Sequence, residues 1–180
     1  LHIQETDTSN PVRNGILFQN SALLLNLNVF ENVALPLRYH YPNLAECIIT
    51  RMVMMKLHCV GLTAAAHKYP TELSGGMAKR AALARAIAND PEIIFYDEPF
   101  SGQDSINSAQ IARLIKTLNQ HLHTTSILVS HEHTHTFDIA DQLVVLAEKT
   151  IIAQGSPQSI LHNQDPLVQM LINPHKKMEQ

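Results

Sequence analysis

The sequence lacks several features that would assign a protein to a class at once. No apolar run approaches the length of a membrane span, and no signal-peptide pattern is visible in its first residues. Lys and Arg number 13 against 16 Asp and Glu, a net charge of −3 that removes the electrostatic argument for nucleic-acid binding. The two cysteines, Cys47 and Cys59, lack metal-site spacing and are typical of buried thiols in a reducing compartment. These features predict a soluble, cytoplasmic chain that does not insert into a membrane.

Glycine is also scarce, and its placement excludes one kind of phosphate site. The 6 glycines include no pair with the spacing G-x-x-x-x-G-K-[ST], and no Gly-Lys-Ser or Gly-Lys-Thr occurs. That pattern forms the P-loop, whose backbone N–H groups cradle phosphates. The 180 residues are enough for one domain with a substantial core, but they contain no such cradle.

The most informative stretch is residues 73–104, which begins with a glycine-opened helix. Ser74, Gly75 and Gly76 precede a run of small and basic residues that predicts a helix to about Asn89. The N-terminus of a helix presents unpaired N–H groups, glycines let a backbone approach closely, and a serine adds a hydroxyl donor. The pattern therefore predicts an anion site at residues 74–76.

A strand that ends in acidic residues follows the helix. Pro91 breaks the helix, and Ile93–Tyr96 is apolar without alternation, which indicates a strand buried on both faces of a parallel sheet. Asp97 and Glu98 then lie at the strand end where open α/β sheets bind ligands. One carboxylate suits a hard cation such as Mg²⁺, and the other suits activation of a water. A polar turn comes next, formed by Ser101, Gly102, Gln103 and Asp104.

In this order, the three pieces strongly resemble the nucleotide-binding subunit of ABC transporters. Residues 73–77, LSGGM, resemble the ABC signature, residues 93–98 resemble Walker B with its catalytic glutamate, and residues 101–104 resemble the D-loop. Met77 stands where the family usually has Gln, and it cannot donate a hydrogen bond through its side chain. LSGGM followed by KRAALARAIA, together with GQD in the turn, is most similar to the MlaF-type ATPases of bacterial phospholipid (Mla) transport systems.

The resemblance implies a fold and a division into parts. The fold class is α/β, a partial P-loop NTPase (ABC ATPase) domain with a parallel-sheet core and a helical signature subdomain. Residues 1–19 correspond to the remnant of an N-terminal part that ends in the Q-loop, and residues 20–90 to the helical subdomain. Residues 91–162 correspond to the RecA-like core and residues 163–180 to a C-terminal helix and tail. Because the P-loop and the first strands are missing and the first residue is Leu, we expect a truncated piece of a longer subunit.

The resemblance also implies roles for individual residues. Two subunits bind ATP between them head to tail, and Ser74, Gly75, Gly76 and Met77 contact the nucleotide of the partner. Gln19 matches the Q-loop glutamine and positions Mg²⁺ together with Asp97, whereas Glu98 activates the attacking water. His131 matches the H-loop histidine that contacts the γ-phosphate, and the D-loop with Asp104 couples the two sites.

His131 also belongs to a rival motif. His131, Glu132 and His135 match H-E-x-x-H, in which two histidines one helical turn apart bind zinc and the glutamate is the general base. The motif follows the apolar run Ser126–Val129 directly, so we expect His131 at a strand end rather than inside a helix. A chain with 11 histidines also matches such a pattern by chance more readily.

The remaining sequence predicts further helices and strands by its periodicity and caps. Asn14 and Gly15 are turn signals before a short strand, Ile16–Phe18. Gly61 follows a predicted helix as its C-cap. The other predicted elements are helices at Leu44–Val60, Ser105–His123, Pro157–Leu161 and after Asp165, strands at Ser126–Val129, Leu143–Ala147 and Ile151–Ala153, and a charged, frayed tail after Pro174.

The sequence therefore predicts an ATP-binding and ATP-hydrolysing subunit of an ABC transporter, one that powers phospholipid transport. Its expected partners are a second ABC ATPase subunit and integral membrane permease subunits, and its expected place is the cytoplasmic face of the bacterial inner membrane. Without a P-loop, the isolated chain should hydrolyse ATP poorly. Two alternatives stay open, namely a truncated, non-hydrolysing assembly module of the same transporter and a zinc metalloprotease.

Overall fold

The structure is a computed structural model that describes residues 12–173. The chain divides into two compact units, residues 1–130 and residues 131–180. The predicted frayed tail lies outside the described residues. In the described part of the chain, no helix has the length and apolarity needed to cross a membrane.

Between residues 12 and 130, the first unit contains a three-stranded parallel sheet, four α-helices and two short 3-10 helices. The strands are β1 (Asn14–Leu17), β2 (Ile93–Asp97) and β3 (Thr125–Val129), in the order β1-β2-β3. The helices are α1 (Val29–His40), α2 (Glu46–Cys59), α3 (Gly75–Ala86) and α4 (Ser105–Leu122). This α/β architecture with a parallel sheet confirms the predicted fold class.

Helices cover one face of this sheet. Gly15 lies against the end of α3, because a Cβ built there would be 2.3 Å from the carbonyl oxygen of Ala86. On the same face of β3, Asn119 of α4 donates a hydrogen bond to the hydroxyl of Ser126 at 3.0 Å. The buried side chains of this covered face include Leu17, Ile94 and Tyr96.

The opposite face of the sheet corrects the prediction of a strand buried on both sides. Phe95 of β2 is 37% exposed, and Ile16, Ile127 and Val129 on the neighbouring strands are also exposed. The lack of alternation in Ile93–Tyr96 therefore arises because the second face of the strand is apolar although it is exposed and is not packed under helices. We call these four residues the open face.

Three further local predictions were wrong. Asn14 and Gly15 belong to β1 instead of forming a turn, because β1 pairs in register with Ile93 and Ile94. Cys47 and Cys59 are both exposed free thiols, not buried ones. The signature helix ends at Ala86, three residues earlier than predicted.

The second unit is a hairpin with short helices. It contains α5 (His133–Ile139), β4 (Leu143–Ala147), β5 (Thr150–Gly155), α6 (Pro157–Leu161) and α7 (Pro166–Ile172). The two strands are antiparallel, as predicted, and Ser156 caps α6 by accepting a hydrogen bond from the Ser159 N–H. Ile160, Val168 and Ile172 form its small core.

Candidate functional site

The site in the first unit is built where β2 ends. Asp97 is the last residue of β2 and is exposed, and Glu98 follows at half burial. The Glu98 N–H continues the sheet pairing by donating to the Val129 carbonyl at 2.9 Å, while the Ser130 hydroxyl lies 3.5 Å from the Glu98 carboxylate. Both carboxylates therefore lie at the C-terminal edge of the parallel sheet, where the sequence predicted them.

Glu98 has an unusual backbone for an acidic residue. Its φ is 46°, in the left-handed region that residues with a Cβ adopt sparingly. Such conformations cost of order 1–3 kcal/mol and persist where the surroundings hold them. The carbonyl oxygen of Glu98 is held by the Ser101 N–H at 3.2 Å, so the turn that follows the strand begins at this residue.

The predicted Q-loop glutamine and D-loop lie together beside this edge. Gln19 is exposed, and its side-chain amide donates to the Ser101 hydroxyl at 3.3 Å. Asp104 caps α4, accepting from the Asn107 N–H at 2.8 Å and from its side-chain amide at 2.7 Å. These hydrogen bonds from Asn107 hold the pKa of Asp104 below its ordinary value.

A cavity of about 350 Å³ joins the Q-loop, the signature helix and the D-loop. Its lining includes Gln19 from the first, Gly75 and Lys79 from the second, and Ser101 and Gln103 from the third. Three segments that are far apart in sequence therefore meet at one place in residues 12–130. The wall combines polar side chains such as Gln19 and Lys79 with apolar ones such as Leu23 and Leu25, the mixture found in small-molecule sites.

The signature end of α3 is open to a second molecule. Ser74 is the N-cap of the helix, and its hydroxyl oxygen accepts from the Met77 N–H at 3.3 Å. Ser74 and Gly75 are both exposed. A serine hydroxyl that accepts one hydrogen bond still has its own hydrogen to donate, so this tip retains a donor for an anion.

The two signature glycines lie in different surroundings. Gly76 is buried, and a Cβ there would be 2.8 Å from the side-chain oxygen of Asn107. At Gly75 the nearest group would be the Gln103 side-chain amide, at 3.3 Å. Gly76 therefore lets α4 and the D-loop approach the signature helix inside one chain, in addition to any role toward a ligand.

Two cations of the signature helix, Lys79 and Arg85, bind the segment that follows β1. Neither was predicted as a site residue. Lys79 donates to the carbonyl oxygen of Gln19, and Arg85 donates to those of Ser21 and Ala22 at 2.9 and 2.7 Å. Ser21 and Ala22 both have positive φ values, so Arg85 supports a tight and unusual turn. The sequence indicates these contacts only in part. Basic residues within a run of buried alanines point to cations that are buried too, and a buried cation needs a hydrogen-bond or ion-pair partner.

His131 lies in the second unit, two residues beyond the end of β3. Glu132 is the N-cap of α5, and its carboxylate accepts from the N–H groups of Thr134 at 3.1 Å and His135 at 2.9 Å. The helix therefore begins after His131, and the two histidines do not lie one turn apart within a helix. This geometry contradicts the zinc metalloprotease interpretation, because Glu132 is occupied in capping.

Comparisons with known proteins agree with this arrangement. The sequence profile of the ABC transporter family matches residues 2–101. The chain is 50% identical over 153 residues to the intermembrane phospholipid transport system ATP-binding protein MlaF of Haemophilus influenzae, covering 85% of this chain and 58% of that protein. The protein of the same name from Escherichia coli K12 is 48% identical over 161 residues, covering 89% and 60% respectively. The chain thus spans less than two thirds of the length of these relatives.

A more distant relative and two solved structures extend the comparison. The probable ribonucleotide transport ATP-binding protein mkl of Mycobacterium leprae is 38% identical over 159 residues, covering 88% of this chain and 46% of that protein. The ATP-binding cassette MJ0796, solved as a dimer in a post-hydrolysis state bound to ADP and Pi, has a TM-score of 0.72 at 29% identity. That match covers 81% of this chain and 63% of the cassette, and a second dimeric structure of MJ0796, described as a bacterial ABC transporter cassette, gives 0.73. The structural neighbours confirm the ABC ATPase fold.

Proposed function

This chain belongs to the ABC transporter family, and from that premise we propose that it forms the signature and catalytic-acid part of an ATP-hydrolysing subunit that powers phospholipid transport. The observation that supports this most is the meeting of the Q-loop, signature helix and D-loop at one cavity, beside Glu98 at the end of β2. Identity of 50% to an ATP-binding protein of a phospholipid transport system supports the choice of cargo.

The residues at the sheet edge fit ATP with Mg²⁺. Asp97 is an exposed carboxylate at the end of β2, and Gln19, hydrogen-bonded to Ser101, follows the neighbouring strand β1; carboxylate and amide oxygens are ligands that suit Mg²⁺. When bound, Mg²⁺ neutralises charge on the phosphates. Asp97 and Gln19 would hold it, and the P-loop that cradles the phosphates in the family would come from sequence outside these 180 residues.

Glu98 is the residue to which we assign the proton transfer. Its carboxylate is half-buried, follows the metal-binding Asp97 directly, and is held on a fixed backbone by hydrogen bonds at its N–H and C=O. A fixed carboxylate can orient a water and accept its proton as the water attacks the γ-phosphate. The family resemblance alone assigns His131 the role of the histidine that contacts the γ-phosphate, and the proposal carries that role over.

The proposed assembly follows from the exposed tip of α3. Ser74 and Gly75 would donate to the nucleotide of a second ABC ATPase subunit placed head to tail, with Gly76 and Met77 completing the tip. Asp104 and the D-loop would link the two nucleotide sites. The assembled pair would bind integral permease subunits at the cytoplasmic face of the bacterial inner membrane.

Changing Glu98→Gln tests this function. The test uses a hybrid in which a P-loop segment of the ABC transporter family precedes the full 180-residue chain. We expect Glu98→Gln to lower kcat by about 100-fold or more, since a general base contributes ~10²–10⁴-fold. Nucleotide-dependent pairing of subunits, measured by analytical ultracentrifugation with ATP, should persist because the amide keeps the shape of the site.

Two controls accompany this measurement. Glu92→Gln alters an exposed carboxylate at the other end of β2, paired only loosely with Arg13 at 3.6 Å, and should leave kcat unchanged. The isolated 180-residue chain should show no turnover in the usual enzymatic range of about 1–1000 per second. Normal hydrolysis by the Glu98→Gln hybrid would remove Glu98 from this role, and fast hydrolysis by the isolated chain would contradict the need for a P-loop.

A further inference from the structure

Lys79 is a buried cation whose partners are backbone carbonyls at the candidate site. It lies in α3 with 3% of its surface exposed. Its Nζ donates to the carbonyl oxygen of Gln19 and, at 3.2 Å, to the carbonyl oxygen of Glu98. One side chain of the signature helix thus contacts both the end of the Q-loop strand and the end of the acidic strand.

The burial of Lys79 has an electrostatic cost. Burial lowers its pKa, and the nearby charges of Asp97 and Glu98 offset part of that fall. Lys56, which is also 3% exposed, is instead paired with the carboxylate of Asp90. A buried ammonium without a full ion pair is costly, and such groups are found where a particular arrangement is needed.

The hydrogen bond from Lys79 to Glu98 is made to a residue whose backbone is already constrained. The φ of Glu98 is 46°, and its carbonyl oxygen accepts from both Lys79 and the Ser101 N–H. Since the N–H of Glu98 is fixed by Val129, the Lys79 contact fixes the other side of the residue. The direction of the Glu98 side chain depends on that backbone, because φ and ψ decide which rotamers are allowed.

We propose that Lys79 is a positioning residue that holds the backbones of Glu98 and Gln19 and couples them to the signature end of α3. Ser74 and Lys79 are five residues apart on one helix, about 7.5 Å along its axis, so the two move together. A shift of α3 when Ser74 meets a nucleotide on a second subunit then carries the Glu98 carbonyl with it. This proposal rests on the proposed role of Glu98.

The first test uses the full 180-residue chain and needs no catalysis. Amide hydrogen exchange followed by NMR should show the Ser101 N–H, which donates to the Glu98 carbonyl, exchanging about tenfold faster in Lys79→Met. Amides of β4 in the second unit should be unaffected. Lys56→Met, the matched control that removes an equally buried lysine away from the site, should leave Ser101 unchanged.

The second test separates positioning from binding in the hybrid subunit. Lys79→Met should lower kcat by about 10–100-fold while KM for ATP stays within about twofold, because misplacing a reacting group affects the chemical step. Lys79→Arg, which keeps a cation with several donors, should recover most of the rate. If Lys79→Met does not fold, Lys79→Leu replaces it, with the same exchange and kcat result expected because leucine also has no donor.

The outcomes distinguish this proposal from the one on which it rests. Equal effects of Lys79→Met and Lys56→Met on Ser101 exchange and on kcat would overturn the positioning role while Glu98→Gln remains inactive. A Lys79→Met hybrid with unchanged kcat and a raised KM would also overturn it. Full activity of Glu98→Gln would instead reject the proposed function, whatever Lys79 does.

Discussion

The two faces of the sheet in the first unit differ far more in burial than in sequence. On the covered face, Leu17 is 1% exposed and Ile94 is completely buried, whereas Val129 on the open face is 62% exposed. Residues of the two faces alternate along the same strands, and both faces carry large apolar side chains. Apolar composition therefore indicates that either face of the strands could be buried. The packing of α3 and α4 decides which face is buried.

This difference also explains where the candidate site lies. Leu17 and Tyr96 anchor β1 and β2 from the covered side, which fixes the positions of Gln19 and Asp97 at the strand ends. The signature helix packs on that same side and places Lys79 at the C-terminal edge of the sheet. One buried face therefore aligns three segments of the site at once, without any contribution from the open face.

The largest expected effect comes from adding one methyl group to the covered face. In Gly15→Ala, the new Cβ would lie 2.3 Å from the carbonyl oxygen of Ala86, a backbone atom that moves only if α3 moves. Overpacking of this kind costs about 1–3 kcal/mol and occasionally more, and we expect about 3 kcal/mol because a backbone must shift. Urea unfolding followed by circular dichroism measures the change.

The adjacent residue provides the control for Gly15→Ala. Asn14 is exposed and directed to the other face of β1, so Asn14→Ala should change the free energy of unfolding by no more than about 0.5 kcal/mol. A cost for Gly15→Ala below about 1 kcal/mol would mean that α3 is not seated on β1 in solution.

An intermediate effect is expected from pH at the covered face. Burial raises the pKa of Tyr96 to about 12 from an ordinary value of 10, and Ser126 offsets a small part of this rise. Because the folded-state pKa is the higher one, the stabilisation is complete below pH 10 and is lost as the pH rises toward 12. At pH 11 the loss should be about 1.4 kcal/mol, since one pKa unit corresponds to ~1.36 kcal/mol.

Comparison of Tyr96→Phe with the original chain isolates this effect. Stability measured by urea unfolding should fall less between pH 9 and pH 11 in Tyr96→Phe, because Phe does not ionise. Tyr39→Phe, which alters a tyrosine that is 80% exposed, is the matched control for the loss of a phenol hydroxyl. Identical profiles for Tyr96→Phe and the original chain would show that water reaches the covered face.

The sequence predicted the elements whose signals are local and missed those that depend on distant packing. Helix α4 was predicted from apolar residues spaced at threes and fours, and α6 was predicted from Ser156, which does cap it. Helix α1 was missed, because Pro36 within it is a helix breaker by itself. Tertiary packing overrides that preference, since α1 is fixed by its Asn28 cap and by buried residues along its length.

The acidic residues of the candidate site could be predicted from the sequence, but the contacts that hold them in place could not. Asp97 and Glu98 follow an apolar run, so their place at the sheet edge could be inferred from order alone. The role of Lys79 depends on two carbonyl groups at residues 19 and 98, which no spacing in the sequence brings together. The contact of Gly76 with Asn107 likewise depends on how α3 and α4 meet.

The smallest expected effect lies on the open face. Val129→Thr keeps the β-branched shape at a position that is 62% exposed and replaces one methyl group with a hydroxyl. If the open face meets water, the free energy of unfolding should change by no more than about 0.5 kcal/mol, and the concentration at which the chain aggregates should rise as apolar surface is removed. A cost above about 1 kcal/mol in urea unfolding would show that Val129 is covered in solution, because only a buried methyl group has that value. That result would mean that the two faces do not differ in burial, and that packing on both faces holds the strand ends of the site in place.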